Sequence, residues 1–146
     1  MSTEPRNPEY AATVRRSFEA QGVMTLLGAS LVEVAPGHVE IEVVPRPELS
    51  QQQSFLHAGV TTTILDSACG YAGLTLMPAG SEVLTVELKV NLLAPAAGDR
   101  VVARGRVVRS GRTLTVAQGD AYAVTGGDEV HCATITATLI RVDAPG

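Results

Sequence analysis

A single acidic side chain stands in the most apolar part of the sequence. Between Leu49 and Ser81, Asp66 is the only residue of the types Asp, Glu, Lys and Arg. A carboxylate among apolar residues is costly to bury unless it is hydrogen-bonded, paired or hydrated, and burial makes it more basic. Such a group suits general-base or nucleophilic chemistry near neutral pH. Asp66 is therefore the first candidate for a catalytic residue.

Small residues recur around Asp66 at helical spacing. Gly59, Thr63, Gly70 and Gly73 continue this spacing in steps of three or four residues, which places all of them on one helix face. Glycine destabilises a helix by about 1 kcal/mol relative to alanine, so several glycines on one face suggest that another group approaches closely. The alternative is that this stripe packs against a partner helix and that Asp66 merely caps a neighbouring backbone group.

The helix that carries Asp66 is predicted to begin at His57-Ala58-Gly59, directly after a polar, glutamine-rich loop. The free N–H groups of a first helical turn, together with the helix dipole, favour negative charge, including the oxyanion formed from a carbonyl. This helix start is therefore a candidate for polarising a substrate carbonyl. His57 itself is interpreted either as a proton-transfer group or as a structural histidine that shapes the turn.

Several of these residues form a known pattern. The pattern consists of Gln51, His57-Ala58-Gly59, Asp66, the strand Thr85-Val86-Glu87-Leu88-Lys89-Val90-Asn91 and Ala94-Pro95. It resembles the pattern of the hotdog-fold acyl-CoA thioesterases, in particular that of the phenylacetate-pathway (PaaI-like) subgroup. That family has a catalytic Asp or Glu nine residues after the histidine and an Asn or Gln six residues before it, and His57, Asp66 and Gln51 match this spacing. The resemblance covers nearly the whole chain.

The resemblance implies roles for the residues that attack and orient the substrate. Asp66 would be the nucleophile or the general base that activates water, and Thr85 aligns with a residue that assists the attacking water in some members. Gln51 would orient the thioester or the water. Because three glutamines are consecutive, Gln52 and Gln53 remain alternatives for the one that faces the site.

The resemblance also implies how the carbonyl is held. The backbone N–H of Ala58 or Gly59 would polarise the thioester carbonyl, helped by the helix dipole, and His57 would hold the loop geometry. Ala58 departs from the usual signature, which has glycine at this position. The backbone donor survives that change, but the added methyl group narrows the approach to it.

Basic residues concentrate in one later segment. No acid lies between Val101 and Gly119, and an acidic protein can use such a segment to bind phosphates. The resemblance implies coenzyme A, bound as part of the substrate, with no separate cofactor and no metal. The alternative is a solvated sheet edge whose charges deter aggregation. The cluster comprises Arg100 and the four arginines predicted to contact coenzyme A: Arg104, Arg106, Arg109 and Arg112.

The elements that must position these residues follow from the periodicity of the sequence. A short N-terminal helix is predicted from Asn7 to Gly22, a strand pair follows from Leu31, and a long apolar helix spans about 57–77. Four strands are predicted at about 85–92, 100–109, 112–124 and 130–142, and their short breaks suit antiparallel hairpins. The expected fold class is α+β: a hotdog fold, in which a curved antiparallel sheet wraps around the central helix.

Composition narrows the functional classes further. The chain has 146 residues, which fits one domain over 1–146, a net charge of −4 and 3% aromatic residues. The acidity and the scarcity of aromatic residues argue against nucleic-acid binding. Two cysteines are too few for a disulfide framework. The N-terminus lacks a signal-peptide pattern and no stretch is apolar enough for a membrane span, so we expect a cytoplasmic protein.

The family implies a homodimer whose sheets join, with each active site at the interface, and often a dimer of dimers. Asp66 would then come from one subunit and Gln51 with Ala58 from the other. The predicted function is hydrolysis of a small, medium-chain or aryl acyl-CoA. A non-catalytic acyl-CoA-binding protein is the main alternative, while a hotdog hydratase is disfavoured because its histidine motif and paired acid are absent.

Overall fold

The computed structural model describes residues 3–146 and contains one antiparallel sheet of six strands. The strand order is β1-β2-β4-β5-β6-β3, and the longest helix, α3, packs against the strands from β2 to β6. This is the hotdog fold. In chain order the elements are α1 (Tyr10–Ala20), α2 (Gly22–Leu27), β1 (Ser30–Ala35), β2 (His38–Val43), a 3-10 turn (Pro47–Leu49), α3 (Ala58–Leu74), β3 (Ser81–Leu92), β4 (Arg100–Ser110), β5 (Leu114–Thr125) and β6 (Asp128–Asp143).

Alternation along the strands directs small residues toward α3. In β5, buried Ala117, Ala121 and Ala123 alternate with half-buried polar residues, as expected for a sheet with one face on the core. The C-terminal half of α3 is buried throughout, from Ala68 to Leu74. A helix that is apolar on every side fits this position because the sheet curves around it.

One predicted hairpin is wrong. The break at Ala96-Ala97-Gly98 does not join paired strands, because β3 pairs with β6 while β4 lies between β2 and β5. The N–H of Leu93 donates to the carbonyl of Cys132 in β6, and the N–H of Asp99 donates to the carbonyl of Val124 in β5. The connection therefore crosses the ends of β6 and β5 and covers three strand spacings, about 14 Å. The hairpins predicted at Ser110-Gly111 and Gly126-Gly127 are confirmed.

The predicted N-terminal helix is two helices. The side chain of Asn7 accepts a hydrogen bond from the N–H of Glu9 at 3.0 Å, so it stabilises a turn before α1 instead of capping the helix itself. Gly22 begins α2 where we predicted that it ends the helical run. The extended backbone of Gln21 separates the two helices, and its side chain has a separate role described below.

The sheet leaves β3 at an edge with an apolar surface. Leu84, Val86, Leu88 and Leu92 of this strand are all more than two-fifths exposed in the single chain. An exposed, apolar edge strand of this length favours association with another chain.

Among residues 3–146, no helix is long and apolar enough to cross a membrane.

Candidate active site

Asp66 and Thr85, two of the predicted site residues, lie in contact in the structure. The Oγ1 of Thr85 in β3 donates a hydrogen bond of 2.7 Å to the Oδ1 of Asp66 in α3. The expectation of a buried carboxylate is corrected, because Asp66 is only half-buried in the single chain and lines an open cleft. One carboxylate oxygen is thus held by a hydroxyl, and Oδ2 has no hydrogen bond to any described residue.

The cleft beside Asp66 has a volume of about 370 Å³ and lies between α1, α3 and the start of β3. Its α1 side is a polar wall that the sequence analysis missed. Gln21 Nε2 donates to the hydroxyl of Tyr71 at 2.8 Å, and Ser67 Oγ donates to Gln21 Oε1 at 3.1 Å. These contacts join residues about 50 positions apart, so neither periodicity nor local spacing signals them.

His57 caps α3, which is the structural one of its two interpretations. Its Nδ1 accepts a hydrogen bond of 2.8 Å from the N–H of Gly59, which requires Nδ1 to be unprotonated. The carbonyl of His57 accepts from the N–H groups of Val60 and Thr61. Within the described chain, the N–H of Ala58 is therefore the first-turn donor that has no protein acceptor. Of the two predicted oxyanion donors, Ala58 is free and Gly59 is occupied.

Gln51 and Ala58 line a second cleft, of about 400 Å³, at the start of α3. Gln53 also lines it, and its backbone N–H donates to the side-chain carbonyl of Gln51, whereas Gln52 does not border the cleft. Asp66 borders a different cleft, so one chain does not bring Asp66 together with Gln51 and Ala58.

The small-residue stripe divides into two parts. Gly73 and Gly70 pack against their own sheet, where a Cβ would lie 2.7 Å from a Leu139 methyl group and 3.9 Å from Val83 respectively. Gly59 is exposed. The close approach at the C-terminal end of the stripe is therefore to the sheet of the same chain, and at the N-terminal end a Cβ on Gly59 would lie 3.0 Å from Nδ1 of His57.

Arg104 and Arg106 already have carboxylate partners on the outer face of the sheet. Arg104 forms two hydrogen bonds with Glu129, of 2.6 and 3.0 Å, and these lower the pKa of Glu129. Arg106 Nη1 lies 3.0 Å from Asp120 Oδ2. Burial would raise the pKa of Asp120, but hydrogen bonds, including those from Arg106 and His131, lower it overall. The predicted cluster is therefore largely neutralised at these two positions.

Arg109 and Arg112 lie apart from that network, at the turn between β4 and β5. They line a third cleft, of about 480 Å³, together with Arg6, whose Nε donates to the carbonyl of Leu76 at 2.9 Å. No ion pair joins Arg109 or Arg112 to any residue in 3–146. Three guanidinium groups and the carboxylate of Glu4 border this cleft, so its lining carries a net positive charge that suits an anionic ligand. Arg6 was not among the predicted arginines.

A comparison with protein families decides the class. The model of the thioesterase superfamily matches residues 53–130, which include His57, Ala58, Asp66 and Thr85. The chain belongs to the thioesterase superfamily.

Individual relatives of this thioesterase agree with the assignment. A thioesterase family protein from Silicibacter pomeroyi is 51% identical, with a TM-score of 0.90 over 92% of this chain and 99% of that one. Human acyl-coenzyme A thioesterase 13 is 30% identical over 122 residues, which are 82% of this chain and 83% of the human protein.

The Escherichia coli PaaI protein, from the phenylacetic acid degradation operon, shares the fold of this thioesterase. Its TM-score is 0.82 over 95% of this chain and 97% of that one, at 16% identity. The predicted hotdog thioesterase family is thus confirmed by the family model and by relatives that are 51% and 30% identical to this chain.

Proposed function

We propose that this thioesterase hydrolyses acyl-CoA thioesters and that Asp66 is the residue that drives attack on the carbonyl carbon. The observation that carries the proposal is the hydrogen bond from Thr85 to Asp66 at 2.7 Å, beside an open cleft. This contact orients a carboxylate whose second oxygen is free to accept a proton. Membership in the thioesterase superfamily makes the thioester the bond to be cleaved.

In the proposed reaction, Asp66 takes a proton from a water molecule as the water oxygen bonds to the carbonyl carbon. The carbonyl oxygen becomes an oxyanion, which the free N–H of Ala58 and the dipole of α3 stabilise. The C–S bond then breaks, the thiol of coenzyme A leaves with the proton, and the carboxylic acid remains. Direct attack by Asp66 is the alternative, and solvent ¹⁸O in the Asp66 carboxylate after a single turnover would identify it.

Two copies of the chain are needed for this arrangement. Asp66 and the pair formed by Gln51 and Ala58 border different clefts of one chain, so we propose that a partner subunit supplies the missing half. The exposed apolar residues of the β3 edge supply a surface for that association. In the proposed dimer, Gln51 of one subunit orients the thioester that Asp66 of the other subunit attacks.

A mixture of two inactive variants tests the shared site. Asp66→Asn and Gln51→Ala chains, refolded together, form mixed dimers in which one of the two sites keeps both native residues. If mixing is random, activity should recover to about a quarter of the wild-type value, since half of the dimers are mixed and half of their sites are native. No recovery above the separate variants would contradict the shared site.

The phosphates of coenzyme A are proposed to bind at Arg109 and Arg112, with Arg6. Arg104 and Arg106 are less suited because Glu129 and Asp120 occupy them. The Arg109→Gln, Arg112→Gln double variant should raise KM for an acyl-CoA and leave KM for the matching acyl-pantetheine, which lacks the nucleotide, unchanged. An equal effect on both substrates, or none on either, would contradict this placement.

The hydrolase proposal itself is tested by thiol release from acetyl-, hexanoyl-, decanoyl-, phenylacetyl- and hydroxybenzoyl-CoA. Turnover of any of these supports a thioesterase and defines the acyl class. Absence of thiol release from all five by a folded, dimeric protein would contradict it.

A further inference from the structure

The polar wall of the Asp66 cleft has no part in the reaction proposed above. It consists of Ser17 and Gln21 on the α1 side and of Ser67 and Tyr71 on α3. Ser67 follows Asp66 directly in sequence, so the wall begins beside the proposed reacting carboxylate. The Oγ of Ser17 lies 3.2 Å from the Tyr71 hydroxyl, and the Gln21 amide bridges Tyr71 and Ser67.

Gln21 has hydrogen-bonding capacity that the protein leaves unused. A primary amide offers two N–H donors and two acceptor positions on its oxygen. In residues 3–146, one donor is directed to Tyr71 and one acceptor position receives Ser67, which leaves one of each. The side chain is half-buried and borders the cleft, so its unused positions are within reach of a ligand.

The two bonds that Gln21 does make fix the orientation of its amide. Tyr71 is 4% exposed, and its ring contacts Phe18 of α1 at a centroid distance of 6.3 Å. α1 is thus already attached to α3 through apolar contacts, including Val14, which is fully buried. The Gln21 amide is therefore not needed to hold α1 against α3. A half-exposed amide at the edge of a cleft is instead suited to bind a ligand.

An apolar acyl group placed against this wall would displace water from the amide and the hydroxyl groups without replacing the hydrogen bonds. A site that presents polar groups to a substrate oxygen discriminates against the analogue that lacks it. The wall therefore favours an acyl group that carries an oxygen atom over one that is wholly apolar.

We propose that the polar wall binds an acyl group that carries a hydroxyl or carbonyl oxygen beyond the thioester carbon, and that Gln21 is the specificity-determining residue. This inference rests on the proposed acyl-CoA hydrolysis, since it names the class of substrate for the same site.

The test compares hexanoyl-CoA with its isomers that carry one hydroxyl group at successive carbons of the chain. Wild-type protein should hydrolyse at least one hydroxyhexanoyl-CoA with a kcat/KM about tenfold above that of hexanoyl-CoA, the effect of one neutral hydrogen bond. The Gln21→Met variant keeps the length of the side chain and should lose that preference, because the hydroxylated isomers lose a hydrogen bond and hexanoyl-CoA no longer has to displace water from the amide. Gln118→Met makes the same chemical change on the outer face of the sheet and should keep the preference.

Tyr71→Phe gives a second variant in case Gln21→Met does not fold. It removes the hydroxyl that orients the Gln21 amide, so the preference should fall in the same direction. The inference is overturned if the wild type shows no preference for any hydroxylated isomer, or if Gln21→Met slows all substrates equally. Absence of turnover of every substrate, hexanoyl-CoA included, would instead overturn the proposed hydrolysis on which it rests.

Discussion

Gly105 in β4 lies directly against the backbone of α3, the helix that carries Asp66. A Cβ added at Gly105 would lie 2.5 Å from the backbone carbonyl of Ala68 and 2.6 Å from the backbone nitrogen of Cys69. Ordinary Cβ contacts begin at 3.4 Å, so α3 would have to move about 1 Å away from β4 to accept a methyl group. No side-chain rotation can relieve the contact, because the neighbouring atoms belong to the backbone.

We therefore expect Gly105→Ala to destabilise the protein by about 3 kcal/mol, at the upper end of the range for overpacked cores. For a chain of this length, that corresponds to a fall in Tm of about 10 °C. Thermal unfolding followed by circular dichroism measures this, with all variants at one protein concentration because association affects Tm. Activity should fall as well, since the shift of α3 moves Asp66 relative to Thr85.

Gly22→Ala is the matched control for this substitution. Gly22 begins α2, and nothing lies within 4 Å of a Cβ built there. The same chemical change should therefore be neutral or stabilise the protein by up to about 1 kcal/mol. A Tm for Gly105→Ala within about 2 °C of the wild type would refute the close approach of β4 to α3.

Three further outcomes follow from single contacts. Thr85→Val should lower kcat by about tenfold and Thr85→Ser should restore it, because only the hydroxyl orients Asp66; equal rates in all three proteins would contradict that role. Thr61→Val should raise the free energy of unfolding by about 1 kcal/mol, measured by urea denaturation, since the buried Thr61 hydroxyl has no partner among the described residues. Burial, followed by the charge of Asp66, raises the pKa of Cys69 from 9.0 to about 12, so stability should fall as pH rises above 9, where the unfolded thiol ionises first. In urea melts between pH 8 and 11, Cys69→Ala should lose that added dependence.

Local patterns predicted the residues that one element or two neighbouring elements position. His57 and Asp66 lie on one helix at a fixed spacing, so the cap and the carboxylate were both predicted from sequence. Thr85 was identified only through the resemblance to the thioesterase family, and the structure gives it a contact with Asp66. Periodicity also predicted the sheet and its three hairpins, β1–β2, β4–β5 and β5–β6, because alternation is a property of each strand by itself.

Contacts between distant segments could not be predicted in the same way. Gln21 was missed because its partners lie about 50 residues further along the chain, on a helix whose rotation the sequence does not specify. The arginine cluster was treated as one patch, yet Arg104 and Arg106 are paired with acids from other strands, while Arg112 lies at a turn. The order of strands that creates these pairings depends on the crossover after β3, and no residue pattern distinguishes that crossover from a hairpin.

The central claim is that Asp66 drives the hydrolysis of an acyl-CoA. The most direct measurement is the rate of thiol release by Asp66→Asn beside the wild type, with acyl-CoA affinity measured on both by calorimetry. We predict that kcat falls by about a hundredfold or more while the dissociation constant stays within a few-fold, because the amide keeps the shape of the side chain but cannot accept the proton. Equal rates in the two proteins, or tight acyl-CoA binding by a wild type that releases no thiol, would contradict the claim and indicate an acyl-CoA-binding protein in which Asp66 is structural.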